Sequence, residues 1–280
     1  MPELPEVEVT RRTLSDRLHG HLLQIVRVYQ PRLRWPVPRS LAAALKGRHL
    51  IGIDRRGKYL LWRFDHGVLI SHLGMTGSWR LHPAGQAPPR GPHDHVDLYF
   101  DSPVAPLLVR FTDPRRFGAL LWHRADEGEV EDHWLLASLG VEPLESGFDG
   151  PLLYRNTRGR NAPIKQVLLA GDVVVGVGNI YASESLFDAR IDPRVAARRL
   201  GPVRCARLAA AIRQVLGEAI GAGGSTLRDY TGADGAEGLY ARKARVYGRN
   251  GQDCPVCGHP IRRIMQGQRA TYLCVRCQRR

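Results

Sequence analysis

Two groups of residues in this chain have the types and spacing to do chemistry, and they stand at opposite ends. Proline occupies position 2 and glutamate position 3. Removal of Met1 would leave a secondary amine beside a carboxylate. An α-amino group titrates at roughly 7.7 to 8.0, so a neutral fraction exists near pH 7, unlike an unperturbed lysine. Such an amine can attack a sugar C1′, expel the base and form an iminium, whose charge acidifies the C2′ hydrogens and permits loss of the 3′ and then the 5′ phosphate. Proline after an initiator is common, so the dipeptide gains meaning only from its context. At the other end Cys254, Cys257, Cys274 and Cys277 form C-x2-C-x16-C-x2-C. Two close pairs, each on a tight turn, can set four thiolates tetrahedrally around one structural zinc ion. The fifth cysteine, Cys205, falls in the helical pattern Leu200, Leu208, Ala209, Ile212, Val215, Leu216 and reads as a small core residue.

The elements that must position these groups change character along the chain. Residues 3 to 19 read as a helix, with Val7, Leu14 and Leu18 on one face and Gly20 at its end. From Leu22 to Trp122 short apolar runs alternate with turn residues (LLQIVRVY, HLIGI, KYLLWRF, GVLISHL, HVDLYF, PLLVRF, GALLW), which predicts a β-sandwich. Within it residues 82 to 94 are too rich in Pro and Gly to be a strand interior. After about residue 130 helical patterns take over: WLLASLG, PIKQVLLAG, NIYASESLFDA and VRCARLAAAIRQVLGEAI. Short helices interrupted by glycine suggest a helix-turn-helix type of DNA docking. Residues 225 to 238 have the composition of a mobile loop, and the cysteine module closes the chain with Arg262, Arg263, Arg269, Arg276, Arg279 and Arg280 and no acid after Asp253.

Against 27 acidic residues stand 41 basic ones, a formal charge of +14, which favours a polyanionic partner because neutralising phosphates releases counterions. Only Lys46, Lys58, Lys165 and Lys243 are lysines, so a compositional bias to arginine is the competing source of that charge. No apolar run reaches the length of a membrane span, and MPELPEVEVTRR carries acids where a signal peptide has a basic and then an apolar region. A globular protein with a cytoplasmic address is expected, without internal repeats.

MPELPEVE at the start, RRGKYLLW, HLGMTGSW, HDHVD, TDPRRFG, VGVGNIYASESLF and the four-cysteine finger with GQRATYLC together resemble the formamidopyrimidine-DNA glycosylase family over essentially all 280 residues. The resemblance implies an α+β multidomain fold: an N-terminal β-sandwich catalytic domain with flanking helices (1–130), a helix-two-turn-helix domain (131–224), a lesion-covering loop and linker (225–244) and a C-terminal zinc-finger β-hairpin (245–280). It also implies base-excision repair of oxidised purines, 8-oxoguanine and formamidopyrimidines, in double-stranded DNA, by a monomer with one zinc ion and no membrane partner. By that resemblance Pro2 is the nucleophile and Glu3 the acid/base that assists sugar-ring opening. Lys58 contacts phosphate in β-elimination, and Asn179 and Arg269 grip phosphates around the lesion, Arg269 with a part in δ-elimination. Met75, Arg115 and Phe117 fill the hole left by a flipped base, Arg115 reading the widowed cytosine. His93 and Arg160 are further backbone contacts, and the segment from Ser225 to Tyr230 covers the lesion.

Plainer readings stand beside these. Lys58 in a strand pattern is ordinarily solvated, Asn179 could be a simple helix cap, Arg160 lies in a basic run, and pattern alone puts Met75 and Phe117 in the sandwich core. Asp113 and Pro114 read as turn formers. Ala170 and Gly171 depart from the acidic residue and amide usual in the family, which bears on local helix capping. The rival activities are the sister enzyme for oxidised pyrimidines, endonuclease VIII, against which the ELPEVE start and the Met75, Arg115, Phe117 set speak, and a non-catalytic zinc-ribbon DNA-binding protein, against which Pro2, Glu3 and Lys58 speak.

Overall fold

Glu3 ends the extended N-terminus as the cap of helix α1 (Leu4–Leu18), with Pro5 in the first turn, where its missing N–H leaves no bond unmade. Leu4, Val7, Leu14 and Leu18 are buried along one face, and Gly20 follows in the left-handed conformation (φ 78°) that ends many helices. The chain continues through β1 (Leu22–Val28), the short α2 (Leu41–Leu45), β2 (Arg48–His49), β3 (Gly52–Arg56), β4 (Tyr59–Phe64), β5 (Gly67–His72), β6 (Ser78–Pro83), β7 (Asp94–Phe100), β8 (Leu107–Thr112) and β9 (Ala119–Arg124). These strands form two antiparallel sheets, in the orders β2-β1-β7-β8-β6 and β3-β4-β5-β9. Their apolar faces share one core, in which the indoles of Trp62 on β4 and Trp79 on β6 both donate to the buried Ser71 hydroxyl (3.1 and 3.3 Å).

Strand β6 escapes the sequence reading because Gly77 precedes it and its last two residues fall in the Pro/Gly-rich connection. It lies at a sheet edge, where a terminal proline is tolerated. The run WLLASLG is not the expected helix but a series of turns after a 3-10 turn at Val130–Asp132. The His133 carbonyl takes the Leu136 and Ala137 amides and its ring the Leu135 amide, which closes single turns around this residue in place of a continued helical ladder.

This computed structural model describes residues 1–225 and 232–280. It divides into two compact units, Met1–Ala137 with Ala222–Leu239, and Ser138–Gly221 with Tyr240–Arg280. Of the segment from Ser225 to Tyr230, expected to cover the lesion, only Ser225 falls among the described residues. The second unit holds α3 (Gly150–Thr157), α4 (Ile164–Ala170), α5 (Asn179–Asp188), α6 (Pro202–Gly221) and the hairpin β10 (Arg262–Gln266) and β11 (Arg269–Leu273). α3 starts where Asp149 accepts the Leu152 amide (2.7 Å), and any Cβ at Gly150 would lie 2.5 Å from Ala206 Cα of α6. Gly171 ends α4 at φ 80°, so the glycine at this departure from the family pattern supplies a left-handed cap. Cys205 is fully buried on the apolar face of α6, where burial pushes its thiol up, as befits a core residue. Among the described residues no helix is long and apolar enough to cross a membrane.

Candidate active site and zinc site

In the first unit the chemistry gathers at the start of α1. Pro2 is buried and Glu3 is 2% exposed. The Glu3 amide donates to Glu6 Oε2 (2.7 Å), while Glu6 Oε1 accepts the Ser225 amide (2.7 Å), so one buried carboxylate ties the residue after Pro2 to the root of the 225–231 segment. Farther along α1, Glu8 binds Arg11, Arg12 and Arg55. Arg55 Nε donates to Glu8 Oε2 (3.0 Å) and its Nη1 to the Gly57 carbonyl (3.1 Å), which fixes the β3–β4 turn that carries Lys58. Glu6 and Glu8 thus hold the two ends of the proposed chemistry. Both are buried, which no local feature of MPELPEVE signals.

Burial alone would push Glu8 up, but the hydrogen bonds and charges of Arg11, Arg12 and Arg55 outweigh it and hold the carboxyl at about 2 rather than 4.5. A depressed acid stabilises the fold above its unfolded value, and that contribution disappears as pH falls from about 4.5 toward 2. Glu8→Gln is therefore expected to lower unfolding free energy by about 3 kcal/mol at pH 7 and by progressively less below pH 4.5, in urea titrations across that range.

Opposite Tyr59 on β5 stands His72, with ring centroids 4.7 Å apart. Burial, then the charges of Lys58 and Arg34, push His72 down to about 4. It is a neutral ring whose Nδ1 accepts the Gly74 amide (2.9 Å) and so shapes the loop that presents Met75. Met75 is 38% exposed and Phe117 44%, which overturns the core position that pattern alone assigns them. Their exposure is built in. Gly74, at φ 62°, runs so close to the second loop that a Cβ there would lie 2.4 Å from the Phe117 carbonyl carbon. Asp113, fully buried, accepts Thr76 Oγ1 (2.6 Å) and the Gly118 amide (2.7 Å), locking the two loops together. The Arg115 guanidinium lies 4.8 Å over the Phe117 ring. His93 is exposed, and its carbonyl accepts the Asp113 amide (2.9 Å).

In the second unit Asn179 is the first residue of α5, but Gly178 occupies the cap position. The Asn179 side chain turns instead to Lys165, whose ammonium donates to Asn179 Oδ1 (2.7 Å), the Ala270 carbonyl (3.1 Å) and Thr271 Oγ1 (2.7 Å). Asn179 Nδ2 donates to Ala270 O (3.0 Å) and the Tyr247 hydroxyl (3.3 Å). Lys165 is 1% exposed, and these bonds offset the cost of burying its charge. This lysine orients Asn179 and the strand that begins at Arg269. Arg269 itself is exposed beside the hairpin turn Gly267-Gln268, in which both residues have positive φ. Arg160 pairs with Asp172 (2.8 Å).

The four cysteine sulfurs lie within 4.8 Å of one another. Cys254 and Cys277 are 3.8 Å apart and Cys257 and Cys274 3.5 Å, too far for disulfides and close to the separation of about 3.8 Å that a tetrahedral site with Zn–S bonds of about 2.3 Å requires. The residues fit one structural metal ion.

Comparison with known proteins bears on the whole chain. Family models match as the formamidopyrimidine-DNA glycosylase N-terminal domain over residues 1–120, the formamidopyrimidine-DNA glycosylase H2TH domain over 139–231 and the zinc finger found in FPG and IleRS over 251–280. A formamidopyrimidine-DNA glycosylase of Burkholderia multivorans is 55% identical over 279 residues, covering 100% of both chains. The Fpg protein of Lactococcus lactis, solved as a point mutant with DNA containing Fapy-dG and also with DNA containing an abasic site, is 35% identical, with 100% of each chain covered and a TM-score of 0.90 in both structures.

Proposed function

The chain belongs to the formamidopyrimidine-DNA glycosylase family, and from that premise we propose that it is a bifunctional DNA glycosylase and abasic-site lyase, acting in the bacterial cytoplasm on oxidised purines in duplex DNA. The observation that carries this reading is the buried Pro2-Glu3 start of α1, tied through Glu8 and Arg55 to the turn that bears Lys58. Once Met1 is removed, the Pro2 nitrogen attacks C1′ and the N-glycosidic electrons leave with the base, which takes up a proton. Glu3 protonates the ring oxygen as the sugar opens, and the iminium acidifies C2′. Loss of a C2′ proton expels the 3′ phosphate, a second elimination expels the 5′ phosphate, and water then releases the sugar remnant from Pro2. Lys58, Asn179, Arg269, His93 and Arg160 hold phosphates through this sequence, while Met75 and Phe117 wedge the vacated stack and Arg115 reads the opposite base.

Incubation with duplexes bearing 8-oxoguanine, a formamidopyrimidine or an oxidised pyrimidine, each opposite all four bases, tests the reading. Free oxidised purine and a one-nucleotide gap with phosphates at both ends are expected, with cytosine the preferred partner. Faster release of pyrimidines would move the chain to the rival activity, and binding without cleavage would make it a non-catalytic zinc-ribbon protein. Arg115→Ala is expected to reduce discrimination of the opposite base by about 1–3 kcal/mol while changing affinity for undamaged DNA little. Competition between matched and mismatched duplexes measures it, and unchanged selectivity in the variant would remove Arg115 from that role.

A further inference from the structure

The second unit carries a concentration of positive charge that the proposed chemistry does not use. Arg190, Arg204, Arg207, Arg276, Arg279 and Arg280 line one cavity of about 580 Å³. A compositional bias toward arginine would scatter these side chains, whereas the backbone draws them together. The Arg279 amide donates to the Arg190 carbonyl (3.2 Å), the Asp192 amide to the Arg279 carbonyl (3.0 Å), and the Arg204 guanidinium to that same carbonyl (2.9 Å). Buried Gln278 fastens the same segment by donating to the Ile191 carbonyl (2.9 Å).

Little negative charge answers them. Asp192 lies 3.8 Å from Arg280 but is already engaged by Arg194 at 2.6 Å. Among the described residues no carboxylate pairs with Arg190, Arg207, Arg276 or Arg279. Burial and the neighbouring charge of Arg207 push the Arg204 guanidinium below its usual range. Arg204 and Arg207 also stand in the first two turns of the 20-residue α6, where the helix dipole already presents positive charge. Like charges have been gathered here at a cost that a bound anion would relieve.

Within its own unit the cavity is set apart from Asn179 and Arg269. Asn179 opens α5 and Arg190 lies beyond its other end, ten residues or roughly 15 Å along the axis. Arg269 opens β11 and Arg276 lies beyond its far end, after five residues or roughly 17 Å of strand. Two independent elements therefore place the arginines at the opposite end from the phosphate grip.

We propose that this arginine-lined cavity is a second DNA-backbone site, which holds the phosphodiesters of an undamaged duplex segment while the first site is occupied. Guanidinium forks suit phosphate oxygens, and no aromatic or amide group among the lining residues would read a base. DNA is the occupant because an enzyme working on one duplex is surrounded by further phosphodiesters at high local concentration. A second contact would let the protein pass between segments without full release.

The inference rests on the reading that the chain binds DNA, and the test separates the two. Enzyme saturated with a duplex carrying a non-cleavable abasic analogue is titrated at low salt with a labelled undamaged duplex, followed by anisotropy. Wild type is expected to form a ternary complex. Arg207→Glu with Arg280→Glu is expected to weaken second-duplex binding at least tenfold and lower its salt slope by about 2. Cleavage of the lesion duplex is expected to stay within twofold, which also shows that the variant is folded. Absence of a ternary complex in wild type, or equal second-duplex binding by the variant, overturns the proposal. Displacement of the second duplex by tripolyphosphate at concentrations that leave the first duplex bound supports a phosphate site, whereas tripolyphosphate binding without any second-duplex binding overturns DNA as the occupant. Failure to cleave the lesion duplex would count against the proposed activity alone, since ternary-complex formation is read independently.

Discussion

Protein with any residue retained ahead of Pro2 is expected to form no borohydride-stable adduct with abasic DNA and to lose strand cleavage by at least about a thousandfold, the scale on which removing a covalent nucleophile is felt. An amide nitrogen has no lone pair to offer C1′ and cannot become an iminium. The comparison is clean because Met1 is 46% exposed, so added residues run into solvent while buried Glu3 keeps its bond to Glu6. DNA affinity is expected to change little, since Asn179 and Arg269 belong to the other unit. Pro2→Gly restores only a primary amine and is expected to trap and cleave weakly. Peptide mapping of the wild-type adduct must find it on Pro2. An adduct on Lys58, or trapping by the extended protein, would show that another amine is the nucleophile.

What the sequence reveals follows from the range of the interactions involved. The apolar stripe of α6 and the short, continuously apolar runs of β4, β5 and β8 are local patterns, and each is found where the sequence places it. The cysteine quartet is legible for the same reason, because its spacing is itself the geometry of the site. Lys165 is not legible. Its partners Asn179 and Thr271 lie 14 and 106 residues away, and nothing in PIKQVLLAG distinguishes a buried, hydrogen-bonded ammonium from a solvated one. Glu6 meets Ser225 across 219 residues, and Glu184 is a helical acid whose carboxylate caps the amides of Arg245, Val246 and Tyr247. The exposure of Met75 and Phe117 is hidden for another reason. It depends on the close approach of two loop backbones at Gly74 and on the two bonds of Asp113, neither of which leaves a hydrophobic period.

Stripping the metal is expected to unfold the finger and to weaken DNA binding at least a hundredfold, although no cysteine is placed on DNA. The module is too small to hold itself together: its buried cluster comprises only Phe187, Val246, Ile261 and the ligands Cys254 and Cys274, with Tyr272 and the other two cysteines packed at its border. Without an ion to draw the four sulfurs together, folding loses the binding free energy that ordinarily sustains such a site. The consequence travels along β11. When Cys274 is released, the strand that supplies Ala270 O and Thr271 Oγ1 is no longer fixed, so the Lys165 ammonium loses two of its three acceptors and no longer holds Asn179 in one orientation. Asn179 loses its bond to Ala270 at the same time, and Arg269 loses its defined position beside the turn. Two of the three assigned phosphate contacts of this unit thus fail together, Arg160 being held apart from the hairpin by Asp172. Elemental analysis of active protein is expected to give one zinc per chain, and chelation is expected to abolish lesion-duplex binding while the sandwich unit keeps its own β-sheet signal in circular dichroism. Cys274→Ala is expected to behave like the chelated protein without any chelator. Full DNA affinity in metal-free protein would disconnect the metal from the phosphate grip altogether, while loss of affinity with an intact hairpin would show that Lys165 and its strand do not carry the effect.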